Sequence, residues 1–146
     1  YGGAYYRAES PRAVVCIAGG SGLAPMLAVA RAAMTNPAAS ASNDRPLEFF
    51  FGARTTAELC AEPLLAELPG YGDRLRLHAV VSDPDDAAWQ GARGFVHEAV
   101  ERTLGQALAE KEIYFAGPPP MIEAIQQLLM VRCRVPYTQI HFDRFV

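Results

Sequence analysis

Residues 13–35 read AVVCIAGGSGLAPMLAVARAAMT. Ala13 to Ala18 is a continuous apolar run. Gly19-Gly20-Ser21-Gly22 follows, and then Leu23 to Met34 forms an apolar stretch of helical length. A buried strand, a glycine turn and a helix, in that order, make half of a βαβ unit. Glycine lacks a Cβ, so the turn can take positive φ and let a ligand approach the backbone. The helix that follows directs its free N–H groups and the positive end of its dipole at the same space. Pro25 falls in the first helical turn, where its missing N–H costs nothing. An anion, most often a phosphate, suits such a turn, although a plain tight strand-to-helix junction explains it equally well.

The spacing from Gly20 is G-x-G-x-x-P, with Pro25 where the common dinucleotide fingerprint carries a third glycine. That fingerprint also needs an acid at the end of the next strand. Here the next strand ends in Phe51-Gly52-Ala53-Arg54, with a cation instead. A dinucleotide site in this chain is therefore not of the ordinary Rossmann dehydrogenase kind.

A chain of 146 residues, 51% of them hydrophobic, is sized for one domain with a sizeable core. The formal net charge of −3 argues against a general nucleic-acid binder. No stretch is apolar for long enough to span a bilayer, and no signal-peptide pattern opens the chain. Cys16, Cys60 and Cys133 form no C-x-x-C pair and no metal-ligand spacing, so no metal site is expected. An odd, scattered set of thiols suits a reducing cytoplasm, which is the expected location.

Read in order, residues 1–12 (YGGAYYRAESPR) contain a turn, a possible short strand over Ala4–Arg7 and a linker at Ser10-Pro11-Arg12. They fit either the remainder of a preceding domain or a frayed N-terminus. Asn36-Pro37 stops the first helix, and 38–45 form a small polar loop. Leu47–Phe51 is a second strand. Three consecutive phenylalanines suit a central strand covered on both faces. Thr55 or Thr56 can cap a second helix with Leu59, Leu64, Leu65 and Leu68 on its apolar side and Pro63 bending it. Arg74–Val81 is a third strand. Residues 82–94 form a long polar loop carrying the only Trp, Trp89, and long loops within compact domains are often functional. A third helix carries Val96, Val100 and Leu104, with Gly105 breaking it. Ile113–Ala116 is a fourth strand, followed at once by Gly117-Pro118-Pro119-Pro120 and a helix over 121–132. Gln139–Phe142 is a fifth strand.

Strands and helices alternate, so the fold class is α/β: a five-stranded parallel sheet with helices on both faces. The two most specialised turns follow the first and fourth strands. If those strands are neighbours, both turns face one crevice at the switch point of the sheet, which gives the order 3-2-1-4-5. His78, His97 and His141 are dispersed over two strands and a helix and read as structural.

Four stretches together carry a resemblance: GGSGLAP at 19–25, FGART at 51–55, AGPPPM at 116–121 and HFDRF at 141–145. The chain resembles the pyridine-nucleotide domain of the ferredoxin–NADP reductase superfamily. It is most similar to the NADH-oxidising reductases of ring-hydroxylating dioxygenases and of phenol or toluene monooxygenases. The resemblance implies contact of Gly20, Ser21, Gly22 and Pro25 with the dinucleotide pyrophosphate, and of Arg54 with phosphates or a ribose. It places Ser82, Asp83 and Trp89 near the adenosine half. It sets Gly117, Pro118, Pro119 and Met121 against the nicotinamide, and Asp143 and Phe145 near the flavin. Ala116 stands where the family usually has a Cys beside the hydride-donating carbon, so slower hydride transfer is expected; Ala116 and Phe145 are the positions assigned to the chemical step.

The same resemblance makes residues 1–12 the tail of a preceding FAD-binding domain plus linker, and 13–146 the nucleotide-binding domain. FAD and a 2Fe-2S centre are then expected in the full-length protein but not on this piece, which alone should be inactive. Partners implied are that FAD domain, a ferredoxin-type domain or protein, and an oxygenase, with no nucleic acid and no membrane. Asp83, Asp85 and Asp86 would repel a 2′-phosphate, which favours NADH over NADPH. The alternative reading is a nucleotide-binding regulatory module without redox activity. A flavodoxin-like FMN carrier ranks last, because its phosphate loop would be richer in Ser and Thr.

Overall fold

The computed structural model describes residues 5–35 and 45–144. Its elements are β1 (Val14–Gly19), α1 (Leu23–Thr35), β2 (Leu47–Ala53), α2 (Ala61–Leu65), β3 (Leu75–Val81), β4 (Ala92–Arg93), α3 (Val96–Leu104), β5 (Glu112–Gly117), α4 (Pro119–Gln126) and β6 (Ile140–Arg144). A π-helical segment, Gln127–Arg132, prolongs α4. All strand pairs are parallel.

The sheet has six strands in the order β4-β3-β2-β1-β5-β6, which corrects the expected count of five. The five strands read from the sequence keep their expected neighbours, and the sixth is added at the edge. Ala92 and Arg93 pair with Val80 and Val81. Both are exposed, so no apolar alternation marks them. They are held from outside the strand: the Arg93 guanidinium donates to the carbonyls of Asp83 (3.0 Å), Asp86 (2.7 Å) and Trp89 (2.6 Å), folding the loop back along β3.

Side chains alternate across a strand, and here both faces are covered. Val14, Cys16, Ala18, Phe49 and Phe51 pack with α1 and α2 in one core layer. Val15, Ile17, Phe50 and Phe115 pack with α3 and α4 in the other. The three phenylalanines of β2 are thus shared between layers, each at most 2% exposed. Burying each is worth about 1.5–3 kcal/mol. Burial also pushes the Cys16 thiol and the Tyr114 phenol well above their usual values.

Two further expectations need correction. Neither Thr55 nor Thr56 caps a long second helix. A single turn over Thr56–Glu58 has no side-chain cap, and α2 spans only Ala61–Leu65, with Leu64 exposed. The Asp86 carboxylate takes the Thr56 N–H from another loop (2.6 Å), and Pro63 has no N–H to extend the ladder. Residues 5–7 of the possible N-terminal strand form no strand. They are tied down instead: Arg7 N–H donates to the Tyr114 hydroxyl (2.9 Å), Arg45 donates to the Tyr6 hydroxyl (2.7 Å), and Ser10 donates to the buried Glu112 (2.7 Å). The stop at Asn36-Pro37 and the turn at 1–3 lie outside the described residues. Among the described residues, no helix is long and apolar enough to cross a membrane.

Candidate functional site

Because β1 pairs with β5, Ala18 lies beside Ala116, and the turns that leave both strands open at the same end of the sheet. The first turn is shaped by two glycines with different tasks. Gly20 has φ +54 and is exposed, and a Cβ there would meet nothing within 4 Å. Gly22 is buried; a Cβ there would overlap the Ala116 carbonyl and come within 2.9 Å of the Gly117 nitrogen. Gly20 therefore faces open space, whereas Gly22 lets the start of α1 press on the end of β5. Ser21 is exposed beside Gly20, and Pro25 is the third residue of α1.

The open space is a cleft of about 590 Å³, in the range of small-molecule sites. Gly19 and Gly20 line it from the first turn, Gly52, Ala53, Arg54 and Glu58 from the end of β2, and Ser82 from the end of β3. Gly94, Phe95, Val96 and His97 close it from the start of α3, and Pro118, Pro120, Met121 and Ala124 from α4. Met121 spans the two strand ends: Cβ atoms at Gly19 and Gly117 would meet its sulfur at 2.5 and 2.6 Å. A second hollow of about 620 Å³ lies along the outer flank of α4, lined by Glu123, Gln127, Met130 and Val131 among others. No glycine turn or strand end opens into it.

The structure thus brings Gly20, Arg54, Ser82, Pro118 and Met121 together. Gly117 is buried beneath Met121, and Pro119 is half-buried in the first turn of α4. Ala116 is fully buried in the α1-side core and pairs in register with Asp143, itself 7% exposed. Neither lines the cleft wall. Trp89 is not a lining residue: its indole N–H donates to the Ala92 carbonyl (2.6 Å), and its ring lies against Gly91. Asp83 accepts the Asp85 N–H (2.9 Å) and so stiffens its own loop. Phe145 lies outside the described residues.

Arg54 is 84% exposed and pairs with Glu58 at 3.7 Å, a surface contact worth under about 1 kcal/mol. Asp86 is held below the usual carboxylate range, first by the Thr56 N–H and then by the Ala88 N–H and Arg93. His78 and His141 each contact a carboxylate at 2.5 Å, Glu48 and Glu112 respectively, consistent with their structural reading. His97 differs, since it stands in the cleft wall. Phe95, 62% exposed and stacked with His97 at 6.0 Å between centroids, is a further lining residue outside the expected site. Its signal was an aromatic directly after Gly94, at the end of the polar loop.

The oxidoreductase NAD-binding domain family model matches residues 16–127. The chain is 37% identical over 144 residues to the ferredoxin–NAD(P)+ reductase CarAd of Metapseudomonas resinovorans, covering 99% of this chain and 41% of that protein. It is 38% identical over 140 residues to the xylene/toluene monooxygenase electron transfer component XylA of Pseudomonas putida, covering 94% of this chain and 37% of that one. Among solved structures, the ferredoxin reductase in carbazole 1,9a-dioxygenase superposes with a TM-score of 0.82 at 35% identity, over 97% of this chain and 40% of that chain. The chain thus spans about two fifths of the length of these relatives. It belongs to the oxidoreductase NAD-binding domain family, within the ferredoxin–NADP reductase superfamily.

Proposed function

We propose that the cleft binds a reduced pyridine dinucleotide, NADH in preference to NADPH, and that this domain presents it to an FAD-binding domain of the whole protein. The observation that carries this reading is the convergence of two turns. Gly20 leaves an open cradle at the end of β1, and Pro118–Met121 form a stiff wall at the end of the neighbouring strand β5. The cradle fits a phosphate group: the backbone can be approached, N–H groups head the 13-residue α1, and no side chain fills the space. Phe95 offers an aromatic face at the mouth, in a cleft lined mainly by apolar groups.

When bound, the nicotinamide supplies the hydride and the flavin divides the electron pair for one-electron carriers. This chain's residues bind, orient and shield. The Gly20–Gly22 turn and Arg54 hold the pyrophosphate. Ser82 and the loop stiffened by Asp83, Trp89 and Arg93 border the adenosine, and the acids of that loop disfavour a 2′-phosphate. Pro118, Pro119 and Met121 exclude water from one side of the nicotinamide. Ala116 and Asp143, paired at the sheet end, back the flavin side. The cysteines do not fit an iron–sulfur cluster: Cys16 and Cys133 are buried in opposite core layers, and Cys60 is exposed elsewhere. Such a cluster, like the oxygenase it would serve, belongs to another domain or protein. XylA, a monooxygenase electron transfer component by name, and the ferredoxin reductase in carbazole 1,9a-dioxygenase favour this assignment over a regulatory module.

Calorimetric titration of the chain with ADP-ribose, NADH and NADPH tests the reading. Saturable binding of ADP-ribose, with NADH bound more tightly than NADPH, is expected. No binding of ADP-ribose would sink the dinucleotide assignment.

A further inference from the structure

We infer that His97 is a second phosphate-contacting group of the cleft, donating a ring N–H to the dinucleotide pyrophosphate opposite the Gly20 turn; the inference rests on the dinucleotide reading above. His97 is the second residue of α3 and half-buried, and it lines the same cleft as Gly20 and Arg54. The other two histidines are committed to carboxylates at 2.5 Å. Among the described residues, His97 has no hydrogen bond or ion pair, and its one ring contact is the stack on Phe95.

The charges around it leave this base uncommitted. The end of β2 contributes Arg54 and Glu58, which pair with each other. The end of β3 contributes neutral Ser82, and α4 contributes only uncharged lining residues. On α3 itself, Glu98 accepts the Phe95 N–H (2.8 Å) and Glu101 pairs with Arg132. A pyrophosphate entering the cleft meets one cation already shared with a carboxylate and one free imidazole. An imidazolium attracts the anion more strongly than a neutral imidazole, so binding of the anion and of a proton favour each other. A neutral ligand in the same cleft has no such coupling.

The test compares the chain with His97→Asn by calorimetry, using ADP-ribose, 2′-phospho-ADP-ribose and adenosine at roughly pH 8 and pH 6 in a non-phosphate buffer. The expected result is a rise in ADP-ribose affinity of up to about tenfold at the lower pH, because the imidazolium and the bound anion hold each other in place. The rise is absent in His97→Asn and absent for adenosine. In the unaltered chain, the His97 ring resonance should move on adding ADP-ribose, a readout independent of how the variant folds. An equal pH effect in His97→Asn, or for adenosine, overturns the inference and leaves dinucleotide binding standing. A pH effect seen only with 2′-phospho-ADP-ribose overturns the assignment to the pyrophosphate. Failure of ADP-ribose to bind either protein at either pH overturns both this inference and the reading beneath it.

Discussion

Gly20 and Gly22, two residues apart in one turn, should respond to the same substitution in opposite ways. In Gly22→Ala the new methyl overlaps the Ala116 carbonyl and approaches the Gly117 nitrogen to 2.9 Å, both of them backbone of β5. Backbone cannot swing aside as a side chain can, so α1 must lift from the sheet. Overpacking usually costs about 1–3 kcal/mol, and a clash with backbone belongs at the upper end, about 3 kcal/mol. For a domain of this size that lowers Tm by about 10 °C. In Gly20→Ala the methyl points into open space. The left-handed φ costs about 1–2 kcal/mol, offset by about 0.4–1 kcal/mol from the stiffer unfolded chain, so the net loss is about 1 kcal/mol. That same methyl stands where the pyrophosphate is proposed to lie. Urea denaturation followed by circular dichroism, paired with ADP-ribose calorimetry, separates the two. Gly22→Ala should lose stability first, whereas Gly20→Ala should keep most of its stability and lose at least tenfold in affinity, about 1.4 kcal/mol. A Gly22→Ala protein within about 0.5 kcal/mol of the parent would refute the packing argument. Unchanged ADP-ribose affinity in Gly20→Ala would refute the placement of the ligand.

Asp86 ties the 82–86 loop to Thr56 through a carboxylate held below its usual range. Its contribution is present above the unfolded value near 3.8 and is lost as pH falls through the lowered folded value. An NMR titration should show the Thr56 amide shifting with a midpoint below 3.8, and in Asp86→Asn that acid titration should vanish; a midpoint above 3.8 contradicts the assignment. Phe50→Ala empties a fully buried site and removes the ring stacked on His78 at 4.5 Å; a loss of about 3–5 kcal/mol in denaturant unfolding is expected. Glu112→Gln weakens the carboxylate that accepts from Ser10 and contacts His141. A loss of about 2 kcal/mol is expected, with faster amide exchange at the Arg7 N–H, whose bond to Tyr114 holds the same N-terminal segment. An unchanged exchange rate there would show that Glu112 does not anchor that segment.

What could be read from the chain follows from short-range rules. Period-two alternation sends neighbouring strand residues to opposite faces, so Phe49-Phe50-Phe51 already demanded cover on both sides and therefore a central parallel strand. The turn GGSGLAP announced a strand-to-helix junction because glycine and proline restrict or free the backbone locally. Placing the first and fourth strands side by side followed from asking where two specialised turns could share a ligand, and the pairing of β1 with β5 bears this out.

The rest depended on contacts between residues far apart in the chain. The edge strand β4 has no apolar signature and exists because Arg93 gathers three loop carbonyls. The Thr56 N–H goes to a carboxylate 30 residues away rather than to a threonine hydroxyl beside it. Trp89 and Phe95 are both aromatics near one loop, yet only the packing turns Phe95 into the cleft and commits the Trp89 N–H to Ala92. Gly20 and Gly22 are the same residue type in the sequence. One borders empty space and the other touches β5, because the environment of a missing Cβ is set by whatever the fold brings against it.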